Sequence, residues 1–518
     1  MTFVLDERAC GLLLHPTSLP GPHGNGDLGP EAYAFVDFLA RAGQRWWQML
    51  PVNPVGPGFS PYSGVSAFAG NPLLISLRGL VDDGLLEPHE IALELEPTRA
   101  HYDAATELRM ALLRRAFLRF DADAFRAELS EFRERSAFWL SDYALFMALR
   151  HANARAPWTS WAPELARHEA PALKISALAL AHEVAFFEFE QLMFDRQWRA
   201  LRAYAAARGV GLIGDVPIFV AHDSADVWGN QASFKLDADG QPSFVSGVPP
   251  DYFSQTGQRW GTPLYRWKQL ARDGYAFWVE RMRTTLARFD VIRLDHFIGF
   301  ARYWQIPAAE ETAINGRWMR GPGDELFDAI KLELGALPFI AEDLGLVTRN
   351  VKALRKRLGI PGMRILQFAF GGPPGENAFL PHNYPRRCVA YTGTHDNDTA
   401  VGWYRDPGQH EGPRTVEAAR HERAAANAYL YGDAISDEPF HWAMIRALFA
   451  SVADTAIVPV QDVLGLGSEA RMNRPGVADG NWTYRVAAGD LTPALGERLR
   501  RLAERYRRLP KTQSDPAR

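Results

Sequence analysis

The chain has 518 residues, 47% of them hydrophobic, and its 57 Lys+Arg against 61 Asp+Glu leave a net charge of -4. This exceeds the usual size of one compact unit and predicts either several domains or one large barrel carrying insertions. The charge balance offers no basic field to a nucleic acid, two cysteines (Cys10 and Cys388) argue against a disulfide framework or a cysteine zinc site, and no run approaches the roughly 20 apolar residues of a membrane span.

With no apolar, cleavable run in residues 1–10, the expected compartment is the cytoplasm. Eight short apolar runs, each ending in polar or special residues, are predicted as strands. The first two are 11–15 and 45–51. About 160 residues then intervene, far beyond an ordinary connection, so this stretch must fold as a unit. It reads as helical over 104–120, 142–151 and 178–207, the last with Val184, Phe187 and Leu192 at helical spacing and Gly209 as its stop. Residues 80–209 are therefore predicted as a mainly helical insertion. The third strand, 210–217, is followed by a second insertion, 219–288, rich in Gly, Pro and aromatic residues and expected to lie over the barrel mouth. Strands at 290–295, 338–342, 362–368, 388–392 and 455–460 complete the series, with helices at 351–358 and 439–452 among them. Strand-length apolar runs separated by helical segments imply parallel strands joined by crossovers. Eight of them imply the α/β class and a (β/α)8 TIM barrel with large insertions, spanning 1–518. The polar tail, 511–518, is expected to be disordered.

In such a barrel, reactive residues lie where strands end. The third strand ends at Asp215, the fourth at Arg293, Asp295 and His296, and the fifth at Glu342 and Asp343. The seventh runs into His395, Asp396, Asn397 and Asp398, and the eighth into Gln461 and Asp462. Any one strand-end Asp serves equally well as a helix cap or turn residue; agreement at five ends argues for a site. Two chemistries use such a rim. Carboxylates can hold Mg²⁺, or one can act as nucleophile while a second, protonated, serves the leaving oxygen of a glycoside. The neighbours favour the second. Arg293, two residues before Asp295, points to the same side of its strand, and a cation there favours the charged form of a carboxylate. Glu342 would need the opposite, a raised pKa, to carry a proton at neutral pH. His296 and His395 suit sugar hydroxyls or structural hydrogen bonds. The aromatic content, 12% with 15 Trp, fits stacking on sugar rings as well as a large core. Cys388 reads as a core residue.

Several segments then resemble the amylomaltases, bacterial 4-α-glucanotransferases related to the α-amylase superfamily. They are 247–265 (GVPPDYFSQTGQRWGTPLY), 214–220 (GDVPIFV), 293–297 (RLDHF), 341–345 (AEDLG) and 393–399 (GTHDNDT). Shorter matches occur at 60–62 (SPY), 66–72 (SAFAGNP), 460–467 (VQDVLGLG) and 471–476 (RMNRPG). The resemblance runs from about residue 11 to about residue 485, in order.

The resemblance implies a barrel without the superfamily's separate C-terminal β-domain. It implies Asp295 as nucleophile, Glu342 as general acid/base and Asp396 as the third carboxylate, gripping sugar hydroxyls. Arg293 would hold Asp295, while Asp215, His296 and His395 would contact the same sugar and Tyr62 would stack on it. Tyr252 and Phe253, on the loop 249–260, would cover the acceptor side. Trp260 would line the donor side, and Asn397 and Gln461 would complete the substrate-binding set. The implied reaction is retaining transfer of a segment of an α-1,4-glucan (a maltooligosaccharide, or a glycogen or starch fragment) to the 4-hydroxyl of glucose or another glucan. It needs no cofactor or metal, and no nucleic acid or membrane partner. The segment 51–59 (PVNPVGPGF) departs from the family pattern, so an accessory glucan site near it is not expected. A retaining α-glucan hydrolase, a metal-dependent barrel enzyme and a non-catalytic glucan-binding protein stand as alternatives.

Overall fold

The computed structural model describes residues 3–250, 254–373, 375–409, 414–432, 436–477 and 479–510. Twelve strands occur among them: β1 (Ala9–Leu13), β2 (Trp46–Gln48), β3 (Gly211–Pro217), β4 (Phe244–Val248), β5 (Gln258–Pro263) and β6 (Val291–Asp295). The rest are β7 (Arg302–Pro307), β8 (Arg317–Arg320), β9 (Phe339–Ala341), β10 (Gly362–Ile365), β11 (Cys388–Tyr391) and β12 (Thr455–Pro459). Eight close into a barrel in the order β1-β12-β11-β10-β9-β6-β3-β2, and neighbouring barrel strands run parallel.

Seven of the eight predicted runs contain one barrel strand each, and the first, 11–15, overlaps β1, which begins two residues earlier. They read as continuous apolar stretches because both faces are covered: every residue of β1, β11 and β12 is buried. The other seven strands are shorter than their runs. After Ile365, for example, the chain tightens into a 3₁₀ turn, Leu366–Ala369, whose apolar residues Leu366 and Ala369 join a satellite cluster instead of the sheet. Close packing inside the barrel depends on Gly11, where a Cβ would meet the carbonyl oxygen of Trp46 at 2.4 Å.

Between β2 and β3 the chain forms helices at Leu77–Asp82, Tyr102–Leu118, Arg126–Arg135, Leu140–Ala152, Ala170–Ala179 and Ala181–Ala207. The first of these begins ahead of residue 80. These helices share the barrel's core. The Phe194 ring occupies the space a side chain on Gly70 would need, and Trp198 meets Phe289 edge-on at 5.2 Å.

The segment 219–288 differs from a simple cover over the mouth. It supplies β4 and β5, but its last helix, Ala276–Arg288, belongs to the outer ring, where Arg281 donates to the carbonyls of Pro217 (2.7 Å) and Ile218 (3.2 Å). The sheet at the mouth is completed from a different connection. β4 pairs antiparallel with β7, and the order is β5-β4-β7-β8. β7 and β8 lie between barrel strands β6 and β9, in a stretch with no long apolar run to announce them. Among the described residues after β12 there are helices and loops only, and the helix Pro493–Arg505 packs on Pro30–Arg41. No single helix among the described residues is long and apolar enough to cross a membrane.

Candidate active site

β3 and β6 are paired with Asp215 opposite Arg293 and Pro217 opposite Asp295. This register brings three charged side chains together. Arg293 Nη1 donates to both oxygens of Asp215, at 2.8 and 2.7 Å, and lies 2.9 Å from Asp295 Oδ1. Tyr62 donates to the second Asp215 oxygen at 2.7 Å. Asp215 and Arg293 are each 3% exposed, whereas the Asp295 side chain keeps 27% of its surface open to the cleft. Burial works against the Arg293 charge, but Asp215 and Asp295 together hold it protonated well above its ordinary range.

Glu342 stands next to Asp295. β6 and β9 pair with Leu294 opposite Ala341, and the Glu342 N–H donates to the carbonyl of Leu294 at 3.1 Å. Asp295 and Glu342 are thus the next residues on neighbouring strands, about 4.8 Å apart in backbone. The Glu342 carboxyl accepts the backbone N–H of His296 and that of Leu344, both at 2.9 Å. His296 takes a left-handed backbone, φ 51°, at this turn. Burial pushes the Glu342 carboxyl up to about 8; Arg293 opposes the shift and Asp295 adds to it. The two neighbours therefore differ in kind: one touches a buried cation, the other carries a proton at neutral pH.

Asp396 follows β11. Its Oδ1 accepts from Asn473 Nδ2 at 2.6 Å, and its carbonyl accepts from Arg471 Nη2 at 2.7 Å. The adjacent His395 places Nε2 3.4 Å from Asp396 Oδ1. The His395 ring stacks on Tyr62 at 5.1 Å with a 15° interplanar angle, and Trp482 lies against both rings at 6.1 and 5.9 Å. Trp260, on β5, meets the His296 ring edge-on at 4.9 Å and is 39% exposed. Burial lowers His296 to about 4, so it is a neutral imidazole, and its Nε2 has no hydrogen-bond partner among the described residues.

The other strand-end residues have structural work. Asp462 accepts the Ala400 N–H at 2.7 Å, Asp398 accepts from Ser468 at 2.7 Å, and Asp343 accepts the Met363 N–H at 2.8 Å. The Asn397 side-chain oxygen accepts from the N–H and hydroxyl of Thr394, both at 2.9 Å. Gln461 is buried and donates to the carbonyl of Ala470 at 3.3 Å. Tyr252 and Phe253 lie outside the described residues.

Sequence reasoning assigned no role to Asn473, Arg471, Trp482, His15 or Gln191. The first two fall in a segment already singled out by resemblance; Trp482 carries no local signal. His15 ends the first apolar run, and burial, with His395 nearby, lowers it to about 3. Gln191, on the helix Ala181–Ala207, accepts the Gly70 N–H at 2.7 Å and donates to the Gly70 carbonyl at 2.9 Å. Asp226 accepts from Ala67 N–H and Ser66 at 2.6 and 3.1 Å. The helical insertion, through Gln191, and the segment after β3, through Asp226, thereby fix the loop that carries Tyr62.

A closed parallel barrel with a cation-held carboxylate beside a protonated one, on adjacent strand ends, belongs to the class of carbohydrate-active (β/α)8 proteins. The family model described as 4-alpha-glucanotransferase matches residues 14–492. The 4-alpha-glucanotransferase of Thermus thermophilus is 50% identical over 510 residues, covering 97% of this chain and 99% of that one. The chloroplastic/amyloplastic 4-alpha-glucanotransferase of Solanum tuberosum is 43% identical, covering 97% and 87%. The amylomaltase of Streptococcus agalactiae, solved in complex with acarbose, superposes with a TM-score of 0.91 at 37% identity over 97% of this chain and 100% of that one. The chain belongs to the 4-alpha-glucanotransferase family.

Proposed function

We propose that this protein transfers a segment of an α-1,4-glucan to the 4-hydroxyl of a second glucan or of glucose, by a retaining double displacement. The observation that carries the mechanism is the unlike setting of two adjacent carboxyls: Asp295 beside the Arg293 guanidinium, Glu342 desolvated and held by two backbone N–H groups. Asp295 Oδ attacks the anomeric carbon while Glu342 gives its proton to the glycosidic oxygen. The C1–O bond breaks, the first fragment leaves as an alcohol, and a glycosyl ester on Asp295 remains. Glu342, now a carboxylate, takes the proton of the incoming 4-hydroxyl. The new C1–O bond forms, Asp295 is released, and Glu342 is protonated again. Two inversions keep the α configuration.

Asp396, held by Asn473 and with 43% of its side chain exposed, is assigned the hydroxyl-gripping role. The stacked Tyr62 and His395 form one wall for the sugar, and Trp260 and His296 the other. Two free, buried cysteines, Cys10 and Cys388, fit a reducing compartment such as the cytoplasm.

Product analysis with pure maltotriose, comparing wild type with Asp295→Asn and adding EDTA in parallel, tests the proposal. A ladder of longer maltooligosaccharides plus glucose, insensitive to EDTA and lost in the variant, is expected. Glucose and maltose alone would mean a hydrolase, and binding without turnover would mean a glucan-binding protein.

A further inference from the structure

A cleft of about 740 Å³ lies between the loop after β9 and the residues leading into β11, and the chemistry above does not use it. Five of its lining residues are cations, Lys352, Arg355, Lys356, Arg364 and Arg387, against a single carboxylate, Asp343. Asp343 is already committed. It accepts the Met363 N–H at 2.8 Å and lies 3.0 Å from Arg355 Nε, with Arg364 at 4.0 Å. The side chains of Lys352, Lys356 and Arg387 are exposed and make no hydrogen bond or ion pair with any described residue. Arg364 Nε is buried without an acceptor among them.

A helix C-terminus explains part of this. The helix Arg349–Leu358 ends here, with Gly359 in the left-handed region at φ 64°, and cations in a last turn complement the helix dipole. That accounts for Arg355 and Lys356. It does not account for Lys352 a turn earlier, Arg364 on β10, or Arg387 next to β11, whose guanidinium lies over the Gly359 turn. In a chain of net charge -4, three segments converge like charges on one concavity, an arrangement that repels itself unless an anion fills it.

We propose that this cleft binds a small phosphate ester, its phosphoryl group among Lys352, Lys356 and Arg387 and its organic part along Leu346 and Phe379. A dianion with several acceptor oxygens matches three unpaired cations better than a monovalent acid does, and guanidinium forks suit phosphate geometry. The volume exceeds that of a bare ion and suits a sugar-sized molecule. An apolar wall is present: Leu346 is 67% exposed, and Phe379 lines the same cleft. Leu344, whose N–H holds the Glu342 carboxyl, precedes Gly345, Leu346 and Val347 of the cleft wall, which sets the ligand on the loop that positions the acid.

Calorimetric titration of the full chain with ribose 5-phosphate, in the absence of glucan, tests this. The probe contains no glucose unit, so binding at the glucan cleft cannot imitate the result, and the outcome does not depend on the transferase reading. Saturable binding is expected, weakened at least about tenfold in the Lys352→Ala/Lys356→Ala/Arg387→Ala variant. A charge-matched control, Arg78→Ala/Arg126→Ala/Arg501→Ala at exposed positions away from the cleft, should bind like wild type. Circular dichroism of both triple variants should match that of wild type, since every altered side chain is exposed. No heat up to about 10 mM ester, or equal weakening in both triple variants, would overturn the proposal.

Discussion

Arg293 Nη1 reaches Asp215 and Asp295 at once, at 2.7 and 2.9 Å, so one buried nitrogen ties the barrel interior to a partly exposed carboxylate. Replacement by lysine keeps the charge but not the planar fork. Arg293→Lys is expected to lose about 10²–10³ in kcat for maltotriose disproportionation. Arg293→Ala should lose more, and should also fall in stability by about 3–5 kcal/mol, because Asp215 is left buried without its cation. Unfolding in urea and initial rates separate the two effects. An Arg293→Ala protein as stable as wild type would show that the pair is not what holds Asp215.

The protonated Glu342 predicts the alkaline side of the pH profile. Its carboxyl is pushed up to about 8, chiefly by burial, so kcat/KM should decline as pH rises through that value. Glu342→Gln should abolish transfer from maltotriose. It should retain glycosyl-enzyme formation from α-glucosyl fluoride, whose leaving group needs no proton. The sign for stability follows from proton binding. Between the unfolded value near 4.5 and about 8, the folded state holds a proton the unfolded state lacks, so this group's contribution is full at low pH and is lost as pH rises. The melting temperature of Glu342→Gln minus that of wild type should therefore increase from pH 5 to pH 8; a difference independent of pH would contradict the shift.

Gln191 offers a test at long range. It pairs both ways with the backbone of Gly70, 121 residues away, on the loop that carries Tyr62. Gln191→Ala leaves a buried N–H and a buried carbonyl unpaired, at a cost of about 2–4 kcal/mol. It should also lower kcat/KM through a looser Tyr62. Gln191→Glu keeps the acceptor for Gly70 N–H and should fall between. Kinetics at wild-type level in the alanine variant would separate the clamp from the sugar site.

Trp260 is 39% exposed and touches His296 edge-on. Trp260→Ala should raise KM for maltooligosaccharides by about tenfold, the loss of one aromatic contact with a sugar or so. It should change unfolding free energy by less than about 0.5 kcal/mol, as expected of a surface position. A large stability loss with unchanged KM would reverse the assignment.

The sequence alone determined the barrel and marked the strand ends at which its chemistry is proposed. Parallel strands buried on both faces need continuous apolar runs, so 11–15, 210–217 and 455–460 could be read directly, and Asp215, Asp295, Glu342 and Asp396 marked their ends. The long-range contacts decided the rest. Seven strand-end acids look alike in one dimension, yet Asp343, Asp398 and Asp462 spend their oxygens on Met363, Ser468 and Ala400 and Asp215 is buried against Arg293 and Tyr62, while Asp295 and Asp396 keep 27% and 43% of their side chains exposed and Glu342 accepts two backbone N–H groups. Asn397 and Gln461, adjacent to those acids in sequence, hydrogen-bond Thr394 and Ala470. β7 escaped notice because its partner, β4, lies across the whole of β6 in sequence. The proton on Glu342 depends on desolvation by groups from several strands, and the setting of Tyr62 depends on a helix more than 100 residues away. Hydrophobic pattern is local and survives in the sequence; burial, hydrogen-bond partners and charge proximity are properties of segments brought together, and only the folded chain defines them.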